Sequence, residues 1–416
     1  MRRLCDNIFS MRRFLAAYLA LLTLLAGFAA GGGLYLFRET GPSDAIEAAA
    51  DAHAYSVVSW EIRHLPGKWL YKLGHPLNSR SRAEEEEALR RYFSLTEEIR
   101  RLERDSGAAE RLKAAQDQRS RLENEVEDIL EGRLTALLEH QGLVINPPLF
   151  SEMDLVFPPV DFELDFPPRV LAVSPRDRIQ LDRSYLLSPG LDLATAAAIE
   201  RDAEGVPIKE GVGVSALVIA TSGVATYPSV VSELAPYESI IEDVIHEWLH
   251  QYLAFFPLGR SYFAGSETRT LNETVANLAG RELARLFIER YGSPLPPSSP
   301  APAAPSDFDF ATEMRALRQR VEELLASGQI AAAEGLMKDK RDEFERRGYY
   351  IRRINQAYFA FHGSYADAPA SIDPIGPKLE DLRRRAGSPG EFVRLASQLT
   401  SAADLDRLLA GLSVGR

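Results

Sequence analysis

Cysteine is almost absent from this chain: one residue, Cys5, in 416. That excludes a disulfide framework and leaves no cysteine-rich structural zinc site. Histidine is also scarce, with 7 residues, so any histidine pair at ligand spacing stands out. Basic residues are outnumbered, 48 Lys and Arg against 60 Asp and Glu, giving a net charge of −12. A surplus of acid argues against nucleic acid as a partner. The sequence has no internal repeats. Its longest uncharged run is Phe14 to Phe37, of 24 residues.

About 20 apolar residues suffice to cross a bilayer. Arg2, Arg3, Arg12 and Arg13 precede the run, and Arg38, Glu39, Asp44 and Glu47 follow it. The charge bias predicts a single-pass anchor over 14–37, with residues 1–13 in the cytoplasm and everything after Phe37 outside it. A cleaved signal peptide is the alternative, because Ala26 to Gly33 is rich in the small residues that cleavage needs. The uncharged stretch continues through Leu34-Tyr35-Leu36-Phe37, which favours the anchor. Gly27 and Gly31 form G-x-x-x-G, a face on which two such helices could pair into a homodimer. Cys5 precedes the run and so cannot be the lipidated cysteine of a lipoprotein signal.

The chemistry centres on His246-Glu247-Trp248-Leu249-His250. Ile241, Ile245, Trp248, Leu249 and Tyr252 recur at helical spacing, which predicts one helix from Tyr237 to Phe256. His246 and His250 are four apart and leave the same face. Two neutral imidazoles so placed suit one divalent metal, most often zinc. Glu247 lies about 100° away around the helix. It is poorly placed to bind the metal and well placed to take a proton from water that zinc has acidified. Downstream, Leu271-Asn272-Glu273-Thr274-Val275-Ala276-Asn277 opens a second helix to about Tyr291, with Thr268 or Thr270 as its cap and Gly292 as its end. Glu273 reads as the third ligand when taken with the first motif. Alone it would read as a first-turn acid favoured by the helix dipole. Glu267 is the nearest alternative acid.

HEWLHQ followed by LNETVAN resembles the gluzincin clan of zinc peptidases, which pair H-E-x-x-H with N-E-x-x-A or N-E-x-x-S. The resemblance implies one Zn2+ per chain held by His246, His250 and Glu273, with Glu247 as general base. Asn277 stands where some members carry an Asp that orients the first histidine. The chain is similar, over roughly 240–400, to bacterial membrane-associated predicted aminopeptidases, through Ile354-Asn355-Gln356-Ala357-Tyr358 and Gly390-Glu391-Phe392. The G-x-M-E-N run that binds a free amino terminus in aminopeptidases of this clan is missing. The resemblance also implies an edge strand ahead of the zinc helix that pairs with the substrate backbone, for which Ser215 to Ala225 is the candidate. It further implies a Tyr or His donor to the oxyanion from beyond the Glu helix. Tyr358, His362 and Tyr365 are available there, and Tyr365, in a turn after Gly363, is the favoured choice over His362.

The remaining chain predicts an α+β protein, mainly helical, with a zincin-like core and a small sheet. Ser43 to Ile62 reads as a helix broken by Pro66-Gly67. Ala83 to Gln141 reads as a charged antiparallel helical hairpin, projecting as a short coiled coil. Residues 38–142 therefore form a helical region and 143–416 the peptidase domain. Strands are expected over 161–166, 170–173, 179–181 and 212–220, with a helix over 191–203 between them. Residues 293–308 form a Pro-rich loop. Helices follow over 310–347 with a break near Gly328, then 349–361, 377–385 and 391–412. The expected function is hydrolysis of a peptide or protein substrate outside the cytoplasm, at the cell membrane. The alternatives are a non-catalytic interaction protein on the same fold and a hydrolase of a non-peptide amide.

Overall fold

The structure, a computed structural model, describes residues 44–74, 80–105, 107–145, 154–207, 211–296 and 308–414. The expected anchor, its glycine pair, Cys5 and most of the Pro-rich loop lie outside these residues. Among the described residues, no helix is long and apolar enough to cross a membrane.

The protein is mainly helical, with two three-stranded sheets. Two helices open it, α1 (Asp44–Asp51) and α2 (Val57–Gly74). The chain turns between them, at 52–56, and α2 then runs through Pro66 and Gly67, where a break was expected. The α2 segment is fastened by Lys68, which is 3% exposed and lies 3.0 Å from Glu127, 3.0 Å from Glu131 and 3.1 Å from Asp161.

The expected hairpin is three helices, α3 (Arg82–Leu102), α4 (Ala109–Ser120) and α5 (Glu123–His140). A capping box between Ser81 and Glu84 starts α3. These helices do not project. Tyr92, Phe93, Val126, Ile129, Leu130 and Leu134 are buried in the same core as Tyr237, Trp248, Leu271 and Phe287. Adjacent buried aromatics at 92 and 93 make the apolar face too wide for a two-helix seam, so it packs on the body of the protein.

The first sheet has the order β3-β2-β4, all antiparallel, from β2 (Arg169–Pro175), β3 (Arg183–Leu187) and β4 (Val214–Ala220). Residues 179–181 are not a strand. The Ser174 hydroxyl donates to Arg178 O and accepts from Gln180 N, closing a turn, so pairing resumes at Arg183. Helix α6 (Leu193–Glu204) starts at the Asp192 cap and packs on β4. The second sheet has the order β1-β6-β5, from β1 (Phe162–Asp165), β5 (Gly223–Val224) and β6 (Ser229–Ser232). β1 and β6 are parallel, and β5 and β6 antiparallel. β5 falls within the expected pairing strand Ser215 to Ala225, and β6 was not expected as a strand.

Helix α7 (Tyr237–Leu253) carries the histidines, and α9 (Ser266–Tyr291) packs along it, after the one-turn α8 (Pro257–Arg260). α9 begins at Ser266, five residues before the expected Leu271, with Gly265 at the cap position, so neither threonine caps it. Thr268 instead donates to Gly265 O. Gly292, with φ at +80°, ends it.

The later helices are α10 (Phe310–Ala326) and α11 (Ile330–Arg346), parted at Gly328, then α12 (Gln356–His362), α13 (Ile375–Arg385), α14 (Pro389–Ala396) and α15 (Ala402–Val414). The expected helix over 349–361 keeps only its second half. Arg352, Arg353 and Asn355 are drawn to β4 instead, and the Asn355 side chain caps α12 by accepting from Tyr358 N. The expected helix over 391–412 is two helices. Ser397 O accepts from Leu258 N, and Asp404 bonds Thr400, which stops one helix and starts the next.

Replacing Lys68 by Met leaves the carboxylates of Glu127, Glu131 and Asp161 facing one another in the core. Breaking a buried ion pair costs about 3–5 kcal/mol. The Lys68→Met chain should lose stability of that order in urea unfolding at pH 7, and an unchanged midpoint would contradict the assignment.

Candidate metal centre

His246 and His250 sit on adjacent turns of α7 with rings 4.7 Å apart and nearly perpendicular. Their Nε2 atoms are 3.0 Å apart. Glu273, from the second turn of α9, reaches between them, with Oε2 3.6 Å from His246 Nε2 and 3.4 Å from His250 Nε2. One ligand atom from each of the three lies within 4.8 Å of the others. α9 comes this close because Ala276, Ala279 and Gly280 face α7; Gly280 lies against the Glu242 carbonyl and His246.

The donor set fits a divalent cation. His250 Nδ1 donates to Asn272 Oδ1 at 2.7 Å, which leaves a lone pair on Nε2. The Tyr262 hydroxyl donates to Glu273 Oε1 at 2.5 Å, while Oε2 is buried with no hydrogen-bond partner. An imidazole lone pair, a second imidazole and a bare carboxylate oxygen converge in a buried place. Without a cation one site must take up a proton, and the electrostatics say which. Burial disfavours charge on His250, but Glu273, Glu247 and Asn272 outweigh it and push it up to about 9. Burial would raise the Glu273 carboxyl, but the two histidines hold it well below the usual carboxylate range. His246 is pushed down by burial. The three residues form a trap for positive charge.

Glu247 does not join this set. It is 7% exposed, and burial pushes its carboxyl up to about 8. It lies against β5. A Cβ on Gly223 would stand 2.7 Å from Glu247 Oε1, so a larger residue there would push the Glu247 side chain aside. Of the expected pairing strand Ser215 to Ala225, the β4 part is closed. Ala216 N and Val218 N donate to Glu204 and Glu200, and Ala216 O and Val218 O accept from Asn355 and Arg352. The sheet order leaves β5 at an edge, beside Glu247.

The structure brings Tyr365 to the centre and leaves His362 apart. The Tyr365 ring centroid is 6.2 Å from that of His246. Its hydroxyl is raised well above its ordinary value by the Glu273 charge, then by burial, with Tyr262 and Glu247 adding to it. His362 packs on Tyr358 at 4.5 Å and against Phe361, and burial pushes it down to about 4. The turn that presents Tyr365 is held to α9, because Ala366 N donates to the Thr274 hydroxyl and Asp367 accepts from Asn277 and Arg281.

Asn277 therefore does not bond His246. It bonds Asp367, at 3.2 Å, and the Asp367 carboxylate acts on His246 from the neighbouring turn. Glu267 is also away from the centre, accepting from Ala402 N. Sequence reasoning missed Tyr262, Asn272 and Asp367. Asn272 adjoins Glu273 and could have been found from the helix register. Tyr262 and Asp367 reach the centre from loops, and no periodicity marks them. No protein-family model matches the chain, and no curated protein or solved structure matches it.

Residues that orient metal ligands typically contribute about 10–100-fold in affinity. Tyr262→Phe removes only the hydroxyl that holds Glu273 Oε1. It should weaken zinc binding by about that factor in chelator competition, with the fold unchanged by circular dichroism. Unaltered affinity would show that Glu273 needs no such support.

Proposed function

We propose that this protein is a zinc-dependent peptidase, anchored to the membrane through residues 14–37 and acting outside the cytoplasm, with a zincin-like core around α7 and α9. The observation that carries this reading is the convergence of His246, His250 and Glu273, with Glu247 close by and outside the ligand set. His246 Nε2, His250 Nε2 and Glu273 Oε2 would hold the metal. Bound zinc supplies Lewis acidity, bringing the pKa of water to about 7 and polarising a carbonyl.

The chain's own groups do the rest. The Glu247 carboxylate takes the proton of the attacking water and then passes it to the leaving nitrogen. Its enclosure against Gly223 favours the protonated form between those two transfers. The Tyr365 hydroxyl donates to the oxygen on which negative charge develops. The β5 edge, Gly223–Val224, pairs with the substrate backbone and sets the scissile bond beside Glu247. The enclosure of Glu273 behind the half-buried Tyr262 and Tyr365 limits access of bulk water and strengthens these interactions.

Glu247→Gln keeps the shape and loses the proton acceptor. It should retain one zinc and lose hydrolysis of a peptide library. Wild-type turnover in that variant would remove Glu247 as the base. Removing an oxyanion donor costs about 10²–10³ in turnover. Tyr365→Phe should lose that much with zinc content and KM nearly unchanged, whereas His362→Ala should turn over like the parent. The opposite pattern would move the role to His362.

A further inference from the structure

A cleft of about 480 Å³ opens directly upstream of the reacting groups, between the start of β5, the end of β6 and the first half of α7. Thr221, Ser222, Ser232, Ser239, Glu242 and Asp243 line it. Glu242 is four residues before His246, and Asp243 four before Glu247. The two carboxylates thus continue the same face of the same helix, about 6 Å along its axis. Ser222, which bonds Asp243, immediately precedes Gly223, which touches Glu247. The cleft and the reactive pair are neighbouring stations on one strand edge.

The cleft's charge is unbalanced. Two carboxylates and four hydroxyls line it, and no Lys or Arg does. Arg281 acts on Glu242, but its guanidinium is bonded to Asp367. The acidic group around Lys68 is different. There the carboxylates of Glu127, Glu131 and Asp161 close on the Lys68 ammonium. Burial raises both cleft carboxyls, Asp243 to about 6, as expected of acids short of a counter-charge.

We infer that this cleft receives a cationic nitrogen of the peptide substrate, borne on a lysine or arginine side chain or on a free amino terminus. The inference rests on the peptidase reading and names its substrate class. A strand advances about 3.4 Å per residue, so a group in the cleft belongs to the second residue or so from the scissile bond. Hydroxyls and carboxylates are acceptors for the several N–H donors of an ammonium or guanidinium.

The test uses the full zinc-loaded chain and matched peptides that differ only in Lys against norleucine at one position, each with a free or an acetylated amino terminus. Hydrogen bonds to a charged group are worth about ten- to a hundredfold. The cationic member of a pair should be cleaved better in kcat/KM by about that factor. The free and acetylated arms tell which nitrogen is read. Glu242→Gln should bring the pair near parity, and Ser239→Lys, which puts an ammonium in the cleft, should favour the neutral member. Equal cleavage of both members by the wild type would overturn the inference and leave the peptidase reading standing. So would a preference that neither variant changes. A zinc-loaded chain that cleaves no peptide would overturn the peptidase reading and this inference with it.

Discussion

The Glu273 carboxylate, placed between two imidazole nitrogens across the α7–α9 contact, is the constraint on which the rest of this structure depends. Three electron-pair donors, two half-buried imidazoles and one buried carboxylate, point at one place. Such an arrangement is costly unless positive charge fills it. The helix pair accepts that cost through close apolar packing: Ile245, Trp248, Leu249, Leu271, Val275, Ala276 and Ala279 are all buried around the centre. Burial excludes water, and the exclusion makes each polar contact there stronger.

A second ring of contacts fixes the donors. Tyr262 holds one oxygen of Glu273 and leaves the other bare, and Asn272 sets the tautomer of His250. Thr274, two residues on from Asn272, captures the backbone of the turn that carries Tyr365. One turn of α9 thus organises both the Glu273–histidine cluster and the turn that carries Tyr365. Away from the centre, Glu200, Glu204, Arg352 and Asn355 close the outer edge of β4. An edge so covered cannot pair with another chain, and β5 is left as the exposed edge beside Glu247.

The α7 helix, its two histidines and the helix of Glu273 were legible because spacing alone determines them. Residues four apart share a face whatever the tertiary fold. The break at Gly328 and the stop at Gly292 were legible for a similar reason, since both glycines adopt positive φ. What depended on distant partners was not legible. Arg352 and Asn355 leave a helical pattern because β4 offers them carbonyls. α2 runs on through Pro66 and Gly67 beside the carboxylates that Lys68 meets. The helices at 82–140 were read as a projecting arm because their charge is visible in sequence, while the core they cover is not. Tyr262 and Asp367 are loop residues whose importance is purely spatial. Asp367, from another segment, is bonded by Asn277 and acts on His246 through its charge.

Zinc content and coordination can be measured together on the purified protein, by elemental analysis and by X-ray absorption at the zinc edge. The expected result is one zinc per chain with two imidazole nitrogens and one carboxylate from the protein, and loss of the carboxylate scatterer in Glu273→Ala. Protein that does not retain zinc after exposure to a stoichiometric supply would contradict it, as would a coordination sphere unchanged by removal of Glu273.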